Sequence, residues 1–473
     1  MESYAALAAC LVFILIVFWR DRKLRPVPSW GTWVVFLWVV AIGSKSVGYW
    51  FGAEANMDSL DSYIEGSPLD RNIYLSLICL GAFALYRRSI NWWKVISANP
   101  WLALFFFYCG VSIIWSDFPF VSFKRLVKDL GNLVMILLLF TETDPVGAFR
   151  AVFSRYVCCA IPLSVLLILY FPEYGLSYNP QTGDILYVAI TTDKNELGVV
   201  LAISGLFLVW EFVELMLHEI RKGKIVDLLV RATLLVLLGY LIVIARSATA
   251  LLCLAAGSTI LILLRFSCFR NQIRHLGLYS LLGGCTLATL FFLTDFTDLL
   301  VKSVDKDITF TGRTDIWEGL LSEQVDPLIG TGYSSFWLKP SMMGQFHNII
   351  QAHNGYLDTY LNGGLIGLAL LLCVIVATAG KVRRQVLEGN NFALLLFSAF
   401  VISLFYNLSE TMFNRLNLVW FMFLLAAMDF SCHYRAREEA PATVGWSLAA
   451  RRAAGTLPCR SDDGPPSSPR PSP

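Results

Sequence analysis

The sequence predicts an all-α polytopic membrane protein of about 12–13 transmembrane helices, with one long outer loop that contains an amphipathic helix. Three observations predict it. The 473-residue chain is 56% hydrophobic and only 15% charged, whereas a soluble domain carries about a quarter charged residues. Apolar runs of roughly 16 to 23 residues recur, long enough to cross a hydrocarbon core about 30 Å thick. Basic residues collect in alternate short loops, as cytoplasmic loops of membrane proteins do.

The first span, residues 4–19, reads "YAALAACLVFILIVFW". Its positive charges, Arg20, Arg22, Lys23 and Arg25, follow the apolar run and no small-residue cleavage site is evident. It therefore reads as an uncleaved anchor with its N-terminus outside. Further spans are expected at 30–50, 72–86, 100–115, 126–140, 151–171, 197–216, 228–245, 248–265, 276–294, 356–379, 392–407 and 416–431. The span at 126–140 is short and begins with Lys128 and Asp129.

With this start, the inner loops carry Arg87-Arg88-Lys94, Arg150, Arg221-Lys222-Lys224, Arg265-Arg270-Arg274, Lys381-Arg383-Arg384 and Arg435-Arg437. The outer loop at 51–71 is acidic. Four regions follow: an N-terminal transmembrane bundle (1–294), a large outer loop (295–355), C-terminal transmembrane helices (356–431) and a cytoplasmic Pro/Ser-rich tail (432–473) expected to be disordered.

The outer loop is the longest hydrophilic segment, and loops of this length are commonly functional. Within it, "GRTDIWEGLLSEQ" places Ile316, Trp317, Leu320 and Leu321 on one helical face. The cysteines lie in apolar runs or basic inner segments, so small buried side chains are expected instead of a disulfide framework. No internal repeat is visible. Polar groups cluster on one side of spans that read as nearly free of internal charge, which disfavours a transporter.

Several outer-side cations sit against the spans: Lys124 and Arg125 in "WSDFPFVSFKRLVKD", Lys194 in "TTDKNELG", Arg246 in "IARSATALL" and Arg313 at the start of the loop helix. Each runs against the positive-inside rule. Singly, such a residue caps a helix, pairs locally or snorkels to headgroups. Together they suggest a polyanion site, because the guanidinium fork matches phosphate oxygens. Two His-Asn pairs end the loop, His347-Asn348 and His353-Asn354. Histidine suits proton transfer at neutral pH, and His353 stands at a span's threshold, where it would be held rigidly. His347 reads as structural. Asp305 and Asp307 form a D-x-D, a weak metal signal, and no metal is assigned. No Walker A or GxGxxG motif is present, so no nucleotide cofactor and no nucleic-acid partner is expected.

The ordered set "TFTGRTDIWEGLL…PLIGTGYSSFW…AHNGYLDTYLNGGLIG", residues 309–367, resembles the O-antigen ligase and polysaccharide polymerase superfamily, and most closely its exopolysaccharide-polymerase branch. "WSDFP…KR", "DKNELG" and "SATALL" fall in the family's order. The resemblance implies a GT-C-like membrane glycosyltransferase of the bacterial inner membrane with a periplasmic active site. It implies an undecaprenyl-pyrophosphate-linked glycan donor, a glycan or lipid A-core acceptor, and work alongside other polysaccharide-assembly proteins. It implies no cofactor.

By matching motifs, His353 takes the role of base and Arg125, Arg246 and Arg313 that of pyrophosphate ligands. Lys194 and Asn195 match a Lys-Asn element, Asn354 follows the histidine, and Glu410 matches a Ser-Glu element that either positions the acceptor or pairs with Arg415. Ala245 and Ala248 depart from the family's pattern around Arg246. Ligase and polymerase remain open, and a flippase or transporter of lipid-linked glycan is the alternative.

Overall fold

The computed structural model describes residues 2–24, 29–52, 67–88, 90–179, 183–218, 225–275, 277, 313–339 and 351–429. The side chains at 21–24, 218, 313–315 and 318 lie outside the description. So do the expected span at 276–294, Asp305 and Asp307, the His347-Asn348 pair and the tail.

The chain is a helical bundle. Its helices are α1 (Glu2–Leu24), α2 (Trp30–Ile42), α3 (Pro68–Tyr86), α4 (Trp92–Ala98), α5 (Pro100–Val111), α6 (Pro119–Phe140) and α7 (Pro145–Tyr170). They continue as α8 (Lys194–His218), α9 (Ile225–Ala245), α10 (Ala248–Leu263), α11 (Arg313–Ser322), α12 (Gly355–Leu387), α13 (Asn391–Ser409) and α14 (Leu418–Ala427). A short antiparallel hairpin, Leu176–Tyr178 with Ile185–Tyr187, precedes α8.

Helix starts are written in the sequence. Proline opens α3, α5, α6 and α7, where its missing N–H is not needed. Ser67, Asp144, Ser247, Asn354, Asn390 and Asn417 cap free amides at the starts of α3, α7, α10, α12, α13 and α14.

Among the described residues, seven helices are long and apolar enough to cross a membrane, or nine if each of two sharply bent pairs counts as one. The expected spans at 30–50 and 416–431 resolve into helices of 13 and 10 residues. The doubtful span at 126–140 belongs to a 22-residue helix that starts at Pro119.

Burial separates core from periphery. The apolar windows of α7, α8 and α13 are 67%, 67% and 72% buried, against 6% for α1. Every residue of α14 is buried. A helix apolar all round belongs in the middle of a bundle, and Phe149, Phe153, Phe207 and Phe392 pack there ring on ring.

The expectation of spans nearly free of charge is corrected. Arg231 in α9 donates to Glu211 of α8 at 2.7 Å and to Ser154 of α7 at 2.8 Å, all buried. Arg155 is buried over the Trp33 ring, 4.4 Å from its centroid. Hydropathy averages over such residues and cannot reveal that a partner on another helix neutralises them.

α12 is broken. Gly364 adopts φ 61°, ψ −164°, a backbone region essentially confined to glycine. The loop "DPLIGTG" docks on the break and takes up its backbone groups. Leu365 N–H donates to Pro327 O at 2.9 Å, and Ile366 N–H to Leu328 O at 3.1 Å. In return Thr331 N–H donates to Leu361 O at 3.1 Å, and Gly332 N–H to Asn362 O at 2.9 Å. Tyr108 of α5 donates to Gly363 O at 2.7 Å. The outer two turns of α12 are thus set at an angle from the long run beyond them. Gly364 serves this turn. Gly367 does lie against a neighbour, since a Cβ there would meet the Tyr108 ring at 3.3 Å.

Candidate functional site

The "AHNG" run assigns a different task to each residue. Ala352 is fully buried, and its carbonyl accepts the Trp317 indole N–H at 2.8 Å. This ties α11 to the residue before His353. Leu320 and Ile316 face the same small core, while Leu321 is 61% exposed, so the expected four-residue apolar face is narrower by that residue. His353 holds φ 48°, an uncommon conformation for a residue with a Cβ. Asn354 caps α12, its Oδ1 accepting Tyr356 N–H at 3.0 Å and Leu357 N–H at 3.1 Å; only its amide Nδ2 remains for a ligand. Gly355 has no room for a side chain, because a Cβ would fall 1.9 Å from Asn407 Oδ1.

That Asn407 oxygen accepts Met412 N–H at 3.0 Å and Phe413 N–H at 2.9 Å, which shapes the loop after Glu410. Glu410 is buried, and its Oε2 lies 2.9 Å from His353 Nδ1. With a carboxylate accepting at Nδ1, the neutral ring carries its proton there and leaves Nε2 as an acceptor. The sequence left Glu410 between acceptor and Arg415; the structure sets it on His353, while Arg415 Nη2 is 3.8 Å from Asp358 Oδ1.

Three further elements meet at this end of the bundle. Asp193 caps α8, accepting Asn195 N–H at 2.6 Å and Glu196 N–H at 3.0 Å. Although part of its side chain reaches solvent, the surrounding protein pushes the Asp193 carboxyl above the ordinary carboxylate range. Nearby Glu410 adds to this; the two amides and the His353 ring oppose it. Sequence reading missed Asp193, although it stands beside the Lys194-Asn195 pair in "TTDKNELG". The turn between α9 and α10 packs on α8, since a Cβ on Gly198 would meet Ser247 Oγ at 2.8 Å. Thr249 Oγ1 is 3.2 Å from Ser409 Oγ, one residue from Glu410. Arg246, at φ 47°, and Lys194 are both exposed on this assembly. Arg313 opens α11; its side chain lies outside the description.

Arg125 is placed differently. Its Nη1 donates to Ser334 O at 2.9 Å and Ser334 Oγ at 3.0 Å, and it lines a cavity of about 260 Å³ bounded by α5, α6, the 333–337 segment, the outer turns of α12 and residues 414–416. Lys128, Asp129, Asp358 and Arg415 share that lining; His353, Arg246 and Lys194 do not. The structure therefore brings His353, Glu410, Lys194, Asn195 and Arg246 to one corner and sets Arg125 in an adjoining chamber. Asp129 is buried on α6, where its carboxylate accepts Trp420 Nε1–H at 2.7 Å, Tyr333 O–H at 3.0 Å and Asn132 Nδ2–H at 3.1 Å. The sequence signal for it was the charge that made the 126–140 span look weak. Among the described residues no group of three or more His, Cys, Asp or Glu side chains is arranged to hold a metal ion.

The fold and this corner define a multi-pass helical membrane protein with a carboxylate-held histidine beside exposed cations. Residues 233–372 match the O-antigen ligase family, a stretch that contains Arg246, Arg313, His353 and Asn354. The chain is also 27% identical over 305 residues to the exopolysaccharide production protein ExoQ of Rhizobium meliloti (strain 1021), covering 62% of this chain and 67% of that protein. Over these stretches the chain is thus similar to O-antigen ligases and to an exopolysaccharide production protein, the similarity that the ordered motifs suggested.

Proposed function

We propose that the protein transfers a glycan from undecaprenyl pyrophosphate onto an acceptor hydroxyl, as a GT-C-type transferase on the periplasmic face of a bacterial inner membrane. The observation that carries this reading is the His353–Glu410 pair, 2.9 Å apart, beside Arg246 and Lys194. Glu410 keeps the His353 proton on Nδ1. Nε2 takes the proton of the acceptor hydroxyl as its oxygen attacks the anomeric carbon. The bond from that carbon to the pyrophosphate oxygen breaks, and the electron pair leaves with the lipid pyrophosphate. Arg246 and Lys194 meet the charge that develops there, with Arg313 supplied by the loop helix and Arg125 from the adjoining chamber. One displacement inverts the anomeric centre, and the proton on His353 passes to solvent. Asn354, Asn195 and the bilayer itself complete the substrate's surroundings.

The buried Arg231–Glu211 pair lends a flippase reading no support. Both groups are bonded to each other, and neither lines the chamber. Purified protein incubated with lipid-pyrophosphate glycan should release lipid pyrophosphate and lengthen the glycan. His353→Ala should abolish both, and wild-type turnover in that variant would remove the histidine from the chemistry. His347→Ala is the control expected to retain activity. In a deletion strain, single repeat units indicate a polymerase, whereas long unattached glycan indicates a ligase that serves lipid A-core.

A further inference from the structure

Two sharp bends lie at the end of the bundle opposite His353. The short helix α4 meets the helix that starts at Pro100 at 99°, and α10 meets the segment Ser267–His275 at 101°. Both side elements are tied to the far turns of α12. Lys381 Nζ donates to Asn99 Oδ1 at 2.7 Å, and Arg383 Nη1 to Arg274 O at 3.4 Å. From Leu365 to Arg383 that helix rises about 27 Å at 1.5 Å per residue, close to the roughly 30 Å of a hydrocarbon core. The two elements therefore leave their spans at the level of a membrane surface and run along it. The first bend is written in Asn99-Pro100, because a residue before proline is disfavoured in the helical region. Asn99 holds φ −132°, ψ 52°, and its buried amide donates back to Val95 O at 2.8 Å.

Both elements are aromatic on one side and basic on another. On α4, Trp92, Ile96 and Trp93 fall within about 100° of arc and all are exposed, while Val95 turns to the bundle and Lys94 points away from the rings. On the second, Phe266 and Phe269 are exposed, Ile273 is buried against the bundle, and Arg270 and Arg274 flank them. Among the described residues no ion pair engages Lys94, Arg270 or Arg274. The carboxylates at this end are taken: Glu142 pairs with Arg88, Glu214 with Arg265 and Glu388 with Arg384. Indole and phenyl rings at interfacial depth, with cations beside them, match the headgroup layer of a bilayer that carries negative charge. We propose that α4 and Ser267–His275 form an in-plane collar that binds anionic phospholipid headgroups, its aromatic rings entering the interface and Lys94, Arg270 and Arg274 meeting the phosphodiester charge. The inference stands apart from the transfer chemistry and needs only that the chain spans a membrane.

The test counts bound lipid. Full-length protein in a mild detergent is titrated with phosphatidylglycerol or with phosphatidylcholine of the same acyl chains, and native mass spectrometry reads the occupancy. Phosphatidylglycerol should bind roughly tenfold more tightly, and raising ammonium acetate to about 0.5 M should erode that preference by screening. The double variant Lys94→Gln with Arg274→Gln should lose most of the preference at an unchanged size-exclusion profile, and Arg270→Gln alone should lose part of it. Arg384→Gln removes the same charge from the paired site on α12 and should keep the preference. Equal binding of the two lipids, a preference untouched by the double variant, or a loss as large in Arg384→Gln would each overturn the proposal. So would dimerisation that the double variant abolishes, since the collar would then be a surface for a second copy.

Discussion

At the scale of single residues, the site is held by strained backbone. Five described non-glycine residues have positive φ, and four of them, Arg246, Ser334, His353 and Asn414, belong to the corner around His353 or the adjoining chamber. Such conformations are each destabilising by roughly 1–3 kcal/mol and persist where the surroundings over-determine them. At His353 the fixed Ala352 carbonyl and the Asn354 cap do this. Glu410→Gln should lower kcat with little change in KM, since the amide can hold the ring but cannot favour imidazolium; steady-state kinetics in nanodiscs would read the split. Asp193→Asn keeps the α8 cap and removes a negative charge near the ring. Imidazolium loses a stabilising neighbour, so the acidic limb of the pH–rate profile should move to lower pH. Arg246→Lys should raise KM for the donor, by roughly tenfold for about 1.4 kcal/mol of lost forked contact. Of these residues the sequence singled out His353, Arg246, Lys194 and Glu410 through their motifs. It could not reveal that Glu410 serves His353, because 57 residues and two whole helices separate the two.

Among elements, the broken α12 and the loop "DPLIGTG" form one unit. A Cβ on Gly364 would fall 2.2 Å from Leu328 O, and one on Gly332 2.8 Å from Ser112 O. Gly364→Ala should therefore lower the thermal midpoint in detergent well beyond Gly380→Ala, where nothing lies within 4 Å of a Cβ. Equal midpoints would mean that the break is not obligatory. The sequence showed an apolar run at 356–379 with three glycines, which suffices for a helix. It did not show the break, because hydropathy is blind to backbone groups satisfied by a loop over thirty residues upstream. The little hairpin before α8 escaped for a related reason: three-residue strands leave no period to read.

For the whole molecule, apolar length and the placement of basic residues were enough to read an all-α multi-pass protein, because a bilayer admits few alternatives. The layering was not legible. α1 and α8 are similarly apolar, with mean hydropathy 2.1 and 2.0, yet their windows are 6% and 67% buried. What divides them is packing, together with buried pairs such as Arg231–Glu211. Arg231→Leu alone should reduce the yield of folded protein, as breaking a buried pair costs about 3–5 kcal/mol. The double variant with Glu211→Leu should recover much of that loss on size-exclusion chromatography. Transfer per folded molecule should be unchanged in the double variant, because Arg231 lies fifteen residues before Arg246 on the same stretch of chain, about 22 Å at 1.5 Å per helical residue.

The docked break in α12 also bears on biogenesis. The run from Leu365 onward is a plain apolar helix that can enter the bilayer as soon as it leaves the insertion machinery. The first two turns cannot reach their final angle until residues 327–332, made earlier, return to meet them. Histidine and glutamate are therefore joined only after α13, which carries Glu410 at its end, is in place. A chain arrested before α13 should be membrane-embedded yet lack the His353–Glu410 pair, which is assembled late in synthesis.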